Sequence, residues 1–123
     1  MKNQKVLRLF ANPKNVGIIQ SASGIGNYTN DKTSDVMKLY LKVEDEEIID
    51  AKFKTYSNYF GIAILSDLTE LIKGKYIDEA EEVDEVQLLD SIGVIDEDRK
   101  YLITDAINTL QLAIKDCKKK LVK

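Results

Sequence analysis

Histidine and tryptophan are absent from this 123-residue chain, and cysteine and proline occur once each, as Cys117 and Pro13. One cysteine excludes any disulfide within the chain. With no histidine it also excludes a zinc site built from cysteine and histidine, which needs several such ligands. Neither a Ser–His nor a Cys–His catalytic arrangement is possible, and the commonest general base is missing. Abundant carboxylates are ordinary surface, no nucleophile–base pair can be named, and the chain is read as a non-enzyme. No apolar run approaches the roughly 18 residues that a membrane span requires. The opening stretch MKNQKVLRLFANPKN has too short an apolar segment for a signal peptide. These absences predict a cytoplasmic protein with no membrane contact.

Eighteen basic and 21 acidic residues give a net charge of −3. That balance does not favour nucleic acid, which rewards a concentrated basic face. The run Lys118-Lys119-Lys120 reads as a solvated helix end, where cations suit the helix dipole. Hydrophobic residues make up 44% of the chain, enough for one modest core. The length fits a single domain over residues 1–123.

Along the chain, Lys2–Phe10 is predicted as a short helix with Val6, Leu7 and Phe10 on one side. Asn12-Pro13 ends it, because a residue before proline avoids the helical region. The Gly-, Ser-, Asn- and Thr-rich stretch 21–34 reads as a loop, preceded by an edge strand at Val16–Ser21. Asp35–Val43 alternates, with Met37, Leu39, Leu41 and Val43 on one face. Ile48–Thr55 alternates again, with Ile49, Ala51, Phe53 and Thr55 on one face. Together they predict an antiparallel hairpin whose other face is wet and carries Lys38, Lys42, Lys52 and Lys54. That lysine stripe is either a solvated face or a receiver for an acidic partner.

From Tyr59 the period becomes helical through Ile62, Leu65, Leu68, Thr69 and Ile72, with Gly74 as the stop. Short helices are predicted at Tyr76–Ala80 and Asp84–Ile92, the second closed by Gly93. The run 78–85 carries six acids in eight positions and reads as solvated surface. Asp96 and Asp98 are two candidates to cap a long final helix with the stripe Leu102, Ala106, Leu110, Ala113, Ile114, Cys117 and Leu121. Strands followed by helices define an α+β fold, a small three-stranded antiparallel sheet with helices packed on one face and a long C-terminal helix.

Five segments carry a resemblance, in order and nearly at the expected spacing. They are Asn12-Pro13-Lys14-Asn15-Val16-Gly17, Asp35-Val36-Met37-Lys38-Leu39, Asp50-Ala51-Lys52-Phe53-Lys54-Thr55-Tyr56, Lys73-Gly74-Lys75 and Asp105-Ala106-Ile107. Together they resemble the IscU/NifU-type iron–sulfur cluster assembly scaffold family over most of the chain, apart from residues 81–98. The resemblance implies a role in cluster assembly, iron binding, and cysteine desulfurase or another scaffold protein as partner. It also implies a cluster held by three cysteines with an aspartate and sometimes a histidine. On this chain the cysteine positions fall on Thr33, Asn58 and Arg99, and the histidine position on Asp98. Only the aspartate, Asp35, remains. The family's L-P-P-V-K docking motif is replaced by Ser91-Ile92-Gly93-Val94-Ile95.

Clusters are held by thiolates. A threonine hydroxyl and an asparagine amide are neutral and hard, and neither carries persulfide sulfur. Arginine is a permanent cation with no lone pair to offer. The expectation is therefore a degenerate family member with no cofactor, acting by docking. The alternative is a small-ligand or hard-metal domain using oxygens of Thr33, Asp35, Asn58 and Asp98. Against a metal stands the expectation that Arg99 enters the vacated space and pairs with Asp35 or Asp98. Tyr59 and Phe60 either fill the space beside a cluster-bearing loop or offer an apolar contact to a partner. Cys117 is read as a small buried hydrophobe; the rival, a thiol bridging two chains around a cluster or disulfide, needs an exposure that the apolar stripe argues against. Oligomeric state is left open.

Overall fold

The computed structural model describes residues 3–121. Helix α1 (Gln4–Ala11) leads into a three-stranded antiparallel sheet of β1 (Gly24–Thr29), β2 (Val36–Glu44) and β3 (Glu47–Tyr56), in the order β1-β2-β3. Helices α2 (Tyr59–Ile72), α3 (Ile77–Glu81), α4 (Glu85–Ile92) and α5 (Tyr101–Leu121) follow, with a short 3-10 turn at Glu97–Arg99 before α5. The α+β reading stands.

Alternation drives β2 as expected, with Met37, Leu39 and Leu41 buried on the face that packs against α5. On β3 the alternation slips. The register shifts between Lys42 and Val43, so Val43 faces Ile48. This irregularity puts Ile48 in the core and Ile49 outside, the reverse of the even pattern read from sequence. Ala51 and Phe53 are buried as read.

The edge strand lies at Gly24–Thr29, and not at Val16–Ser21. The latter segment contributes only one parallel bridge, Val16 to Phe53. Gly24 and Gly26 read locally as loop residues, yet tertiary packing requires them in a strand. A Cβ on Gly24 would lie 2.6 Å from the Ala113 carbonyl oxygen, and one on Gly26 would lie 2.6 Å from the Ala113 nitrogen. The strand therefore rests directly on the α5 backbone.

Segment 17–23 leaves the β3 edge, where the Gly17 N–H donates to Phe53 O, and reaches the β1 end, where the Ser23 N–H donates to Leu41 O. On its way it passes over the outer sheet face, where Lys42 Nζ donates to Ser21 O at 3.1 Å. The face read as wet is thus partly covered, and Tyr40 on it is buried.

Helix α2 is buried through most of its length, including Ala63, Ile64, Leu65, Leu68 and Ile72. Lys73 forms its C-cap, followed by Gly74 at φ +88°. Helix α5 buries Leu102, Ala106, Leu110, Ala113, Ile114 and Cys117, but Leu121 emerges into solvent. Neither Asp96 nor Asp98 caps α5. Asp96 precedes the 3-10 turn, whose Arg99 N–H donates to Asp96 O.

Lys118 and Lys120 are not simply solvated. Lys118 pairs with Asp78 and Glu81, and Lys120 with Asp116. Helix α1 begins at Gln4 with Asn3 as its cap. Lys2, included in the sequence reading, lies outside the described residues. Val6 is buried, but Leu7 and Phe10 are exposed. Lys5 Nζ anchors this helix, 3.0 Å from Asp67 Oδ1 of α2 and donating to Ser91 O of α4 at 2.6 Å.

Candidate functional site

Three segments carry the candidate residues, and the fold fixes each by local hydrogen bonds. The first is the β1–β2 connection. Asn30 Oδ1 accepts from the N–H groups of Lys32 and Thr33, and Asn30 O accepts from the Ser34 N–H. Ser34 takes a positive φ of 65° to close the loop. Thr33 Oγ1 then accepts from the Asp35 N–H at 3.2 Å. Thr33 is exposed and Asp35 half-buried.

The second segment is the β3–α2 junction. Asn58 caps α2, its Oδ1 accepting from the Phe60 N–H at 2.9 Å. Asparagine is among the best residues for this task. The third is the 3-10 turn. Arg99 Nη1 lies 3.0 Å from Asp96 Oδ2, and the guanidinium sits over the Phe60 ring with 4.7 Å to its centroid. Asp98 is exposed.

The expected pairing of Arg99 with Asp35 or Asp98 is therefore overturned. An i,i+3 carboxylate within its own turn reaches Arg99 first, and the Phe60 ring attracts the cation from below. Asp35 is engaged by Tyr101, whose hydroxyl donates to Asp35 Oδ2 at 2.7 Å. That bond is the largest cause raising the phenol above its ordinary titration range, with burial next.

Asp105, one α5 turn further on, is only 3% exposed. Asn30 Nδ2 donates to both its oxygens, at 3.2 and 3.1 Å. Burial raises its carboxyl above the ordinary 3.8, the Asn30 amide opposes that, and the Asp35 charge adds to it. Two polar ties, Tyr101 to Asp35 and Asn30 to Asp105, thus bind the β1–β2 loop to α5. Tyr101 and Asn30 were not singled out from sequence. The available signal was a hydroxyl-bearing ring two residues past Arg99, at the start of a helix that faces the loop.

Both ties are measurable. Tyr101→Phe is expected to cost about 1.5 kcal/mol, the scale of a hydrogen bond to a charged group. Removing Asp35 by alanine in the same protein should add little, because the two changes delete one interaction. A urea double-mutant cycle checks this. Asp105 makes the opposite kind of contribution. Its raised native value favours the neutral acid, so its stabilisation is full below 3.8 and is lost as pH rises through the native value. The stability of wild type relative to Asp105→Asn should accordingly fall as pH climbs from about 4 toward neutrality. Thermal unfolding across that range reads it.

The donor set does not fit an iron–sulfur cluster. Thr33 and Asn58 present neutral oxygens already used in local bonds, and Arg99 presents a cation. Cys117 supplies no remedy, since it is fully buried on α5 and burial pushes its thiol up to about 11. A protonated thiol is a poor ligand and a poor sulfur acceptor. Among the described residues no group of three or more Asp, Glu, His or Cys side chains is placed to hold a metal ion.

Beside these three segments lies an apolar surface. Leu7 and Phe10 of α1, Tyr59 of α2 and Val94 are exposed, Val94 to 70%. Leu7, Tyr59 and Val94 line a cavity of about 170 Å³ together with Val6, Phe60, Asn3 and Asp96. The Phe10 and Tyr59 ring centroids are 5.2 Å apart, and those of Tyr59 and Phe60 4.6 Å. Phe60 thus fills interior space, as one of the two readings of this pair had it, while Tyr59 stays at the surface.

The arrangement of strands and helices is shared with solved structures of two other proteins. A SUF-system scaffold candidate from Fervidobacterium islandicum AW-1 superposes with a TM-score of 0.76 at 22% identity, covering 92% of this chain and 96% of that one. A NifU-like N-terminal structure from Brucella abortus gives a TM-score of 0.70 at 18% identity, covering 96% and 94%. Sequence carries the relation further. The scaffold protein IscU 1 of Archaeoglobus fulgidus is 36% identical over 116 residues, covering 94% of this chain and 76% of that protein. IscU of Escherichia coli K12 is 39% identical over 94 residues, 73% of each. The family model described as the NifU-like N terminal domain matches residues 1–123. The chain belongs to that family.

Proposed function

We propose that this protein works in iron–sulfur cluster biogenesis by docking to a partner protein, as a single cytoplasmic domain over residues 1–123, without catalysis and without holding a conventional cluster. One observation carries the reading. The positions Thr33, Asn58 and Arg99 are committed to a loop bond, a helix cap and a ring-stacked ion pair, while an apolar surface stands open beside them. Apolar side chains exposed together in this way support a docking role. The partner we infer is a cysteine desulfurase or another scaffold protein, in keeping with the cluster-assembly role of the IscU relatives.

The test is anaerobic incubation with ferrous iron, sulfide and a cysteine desulfurase, followed by size-exclusion chromatography. Co-elution with the desulfurase or an intact scaffold without visible absorption supports the reading. Stable colour with stoichiometric acid-labile sulfide on the protein defeats it. A further check uses Leu7→Glu with Val94→Glu, which should abolish co-elution while leaving the fold intact, since both side chains are exposed. The hard-metal alternative gains no support, because Asp35, Thr33 and Asn58 are already hydrogen-bonded and Asp98 points to solvent.

A further inference from the structure

The outer face of the sheet is built in rows across the three strands. Ile25, Tyr40 and Lys52 stand side by side, then Asn27, Lys38 and Lys54, then Thr29, Val36 and Tyr56. No acid occurs among these nine residues, in a chain with 21 acidic and 18 basic residues. Lys38 and Lys54 are direct cross-strand partners. Like charges in that position repel and destabilise a sheet. Among the described residues neither of them, nor Lys52, forms an ion pair. The Lys38 ammonium is held 5.5 Å from the Tyr40 ring centroid. Segment 17–23 covers the other end of the face, where Lys42 binds Ser21 O and stands opposite Asp50. The open half is therefore the pair Lys38 and Lys54, with Asn27 and the 77%-exposed Tyr56 beside it.

We propose that this open half binds an acidic segment of a partner protein, laid across the strands with its carboxylates against Lys38 and Lys54. The repulsion within the free protein is relieved when a carboxylate lies between the two ammonium groups. A polyanionic nucleic acid or a lipid surface requires a broader basic field than two or three lysines on an acidic chain. The chain's own acidic run fits less well as occupant. Asp78 and Glu81 are taken by Lys118, and Glu79 and Asp84 serve helix N-termini. This surface is separate from the apolar one at Leu7, Phe10, Tyr59 and Val94, and does not depend on its role.

The probe is a fluorescein-labelled hexaglutamate peptide, followed by fluorescence anisotropy. Saturable binding is expected at low ionic strength, weakening as salt rises from about 20 to about 200 mM. Lys38→Glu with Lys54→Glu should reduce affinity roughly tenfold or more, while Lys115→Glu on exposed α5 surface should not. Lys38→Met with Lys54→Met keeps the strand shape. It should lose the peptide yet melt at a higher temperature than wild type, because the cross-strand repulsion is gone. Equal binding by wild type and the methionine variant, or no binding by either, overturns the proposal. So does tighter binding of a single-stranded oligothymidine or of phosphatidylserine vesicles than of the peptide. Self-association that disappears in the methionine variant also overturns it, assigning the face to a second copy.

Discussion

Replacing Thr33, Asn58 and Arg99 together by cysteine is expected to turn a protein that stays colourless on anaerobic reconstitution into one that binds a cluster. The loops bearing these positions already converge on one end of the molecule. Tyr101 holds Asp35, and Arg99 stacks on Phe60, two residues past Asn58. What is missing is the donor chemistry, since clusters are held by thiolates. The substitutions carry a cost. Losing the Asn58 cap removes about 1 kcal/mol, and losing the Arg99 stack and its exposed ion pair removes about 1 kcal/mol more. The apo triple variant should therefore unfold at lower temperature than wild type, and iron with sulfide should restore that loss, because a ligand bound only to the native state stabilises it. Thiolate-to-iron charge-transfer absorption in the visible and assay of acid-labile sulfide read the gain. A wild-type protein equally coloured under the same treatment would remove the degenerate-site account.

The largest loss of stability from a single methyl group is expected at Gly26. A Cβ there would fall 2.6 Å from the Ala113 nitrogen and closer still to the Thr109 carbonyl oxygen. Both are backbone atoms of α5, so no side chain can swing away, and β1 must separate from the helix. Gly26→Ala should cost about 3 kcal/mol or more, toward the upper end of overpacking effects. That is a large part of the total of roughly 5–15 kcal/mol available to a domain. Gly74→Ala is the contrast. Open space surrounds that position, and only its φ of +88° resists a side chain, at about 1 kcal/mol. Thermal denaturation of the two variants should separate them clearly. Comparable melting temperatures would mean that β1 does not rest on α5 as described.

The difference between these glycines shows where sequence reading stopped. Gly74 was legible because a helix stop is a local matter of backbone conformation. Gly24 and Gly26 were read as loop for the same local reason, although what places them in β1 is the approach of a helix some 90 residues later in the chain. Ile48 and Ile49 make the same point. Alternation named one of them as core, and a one-residue slip in pairing chose the other. At the site, the family motifs located Thr33, Asp35, Asn58, Asp98 and Arg99 by position alone. Their partners escaped. Arg99 went to Asp96 and Phe60, and Asp35 to Tyr101, since several carboxylates and rings lay within plausible reach and only packing sets which is nearest.

The sequence by itself determined that one chain, with one cysteine and no histidine, does not carry the three thiolates of the family's cluster site. It also determined the β2–β3 hairpin and the helices that follow it, because their hydrophobic period is written locally, whereas β1 was not legible in this way. Tertiary structure alone decided what replaced the missing ligands. The Asn58 cap is local, but the ring stack and the Tyr101 and Asn30 ties join residues far apart in the chain, and distances across a fold are set by the packing of its core rather than by any local pattern.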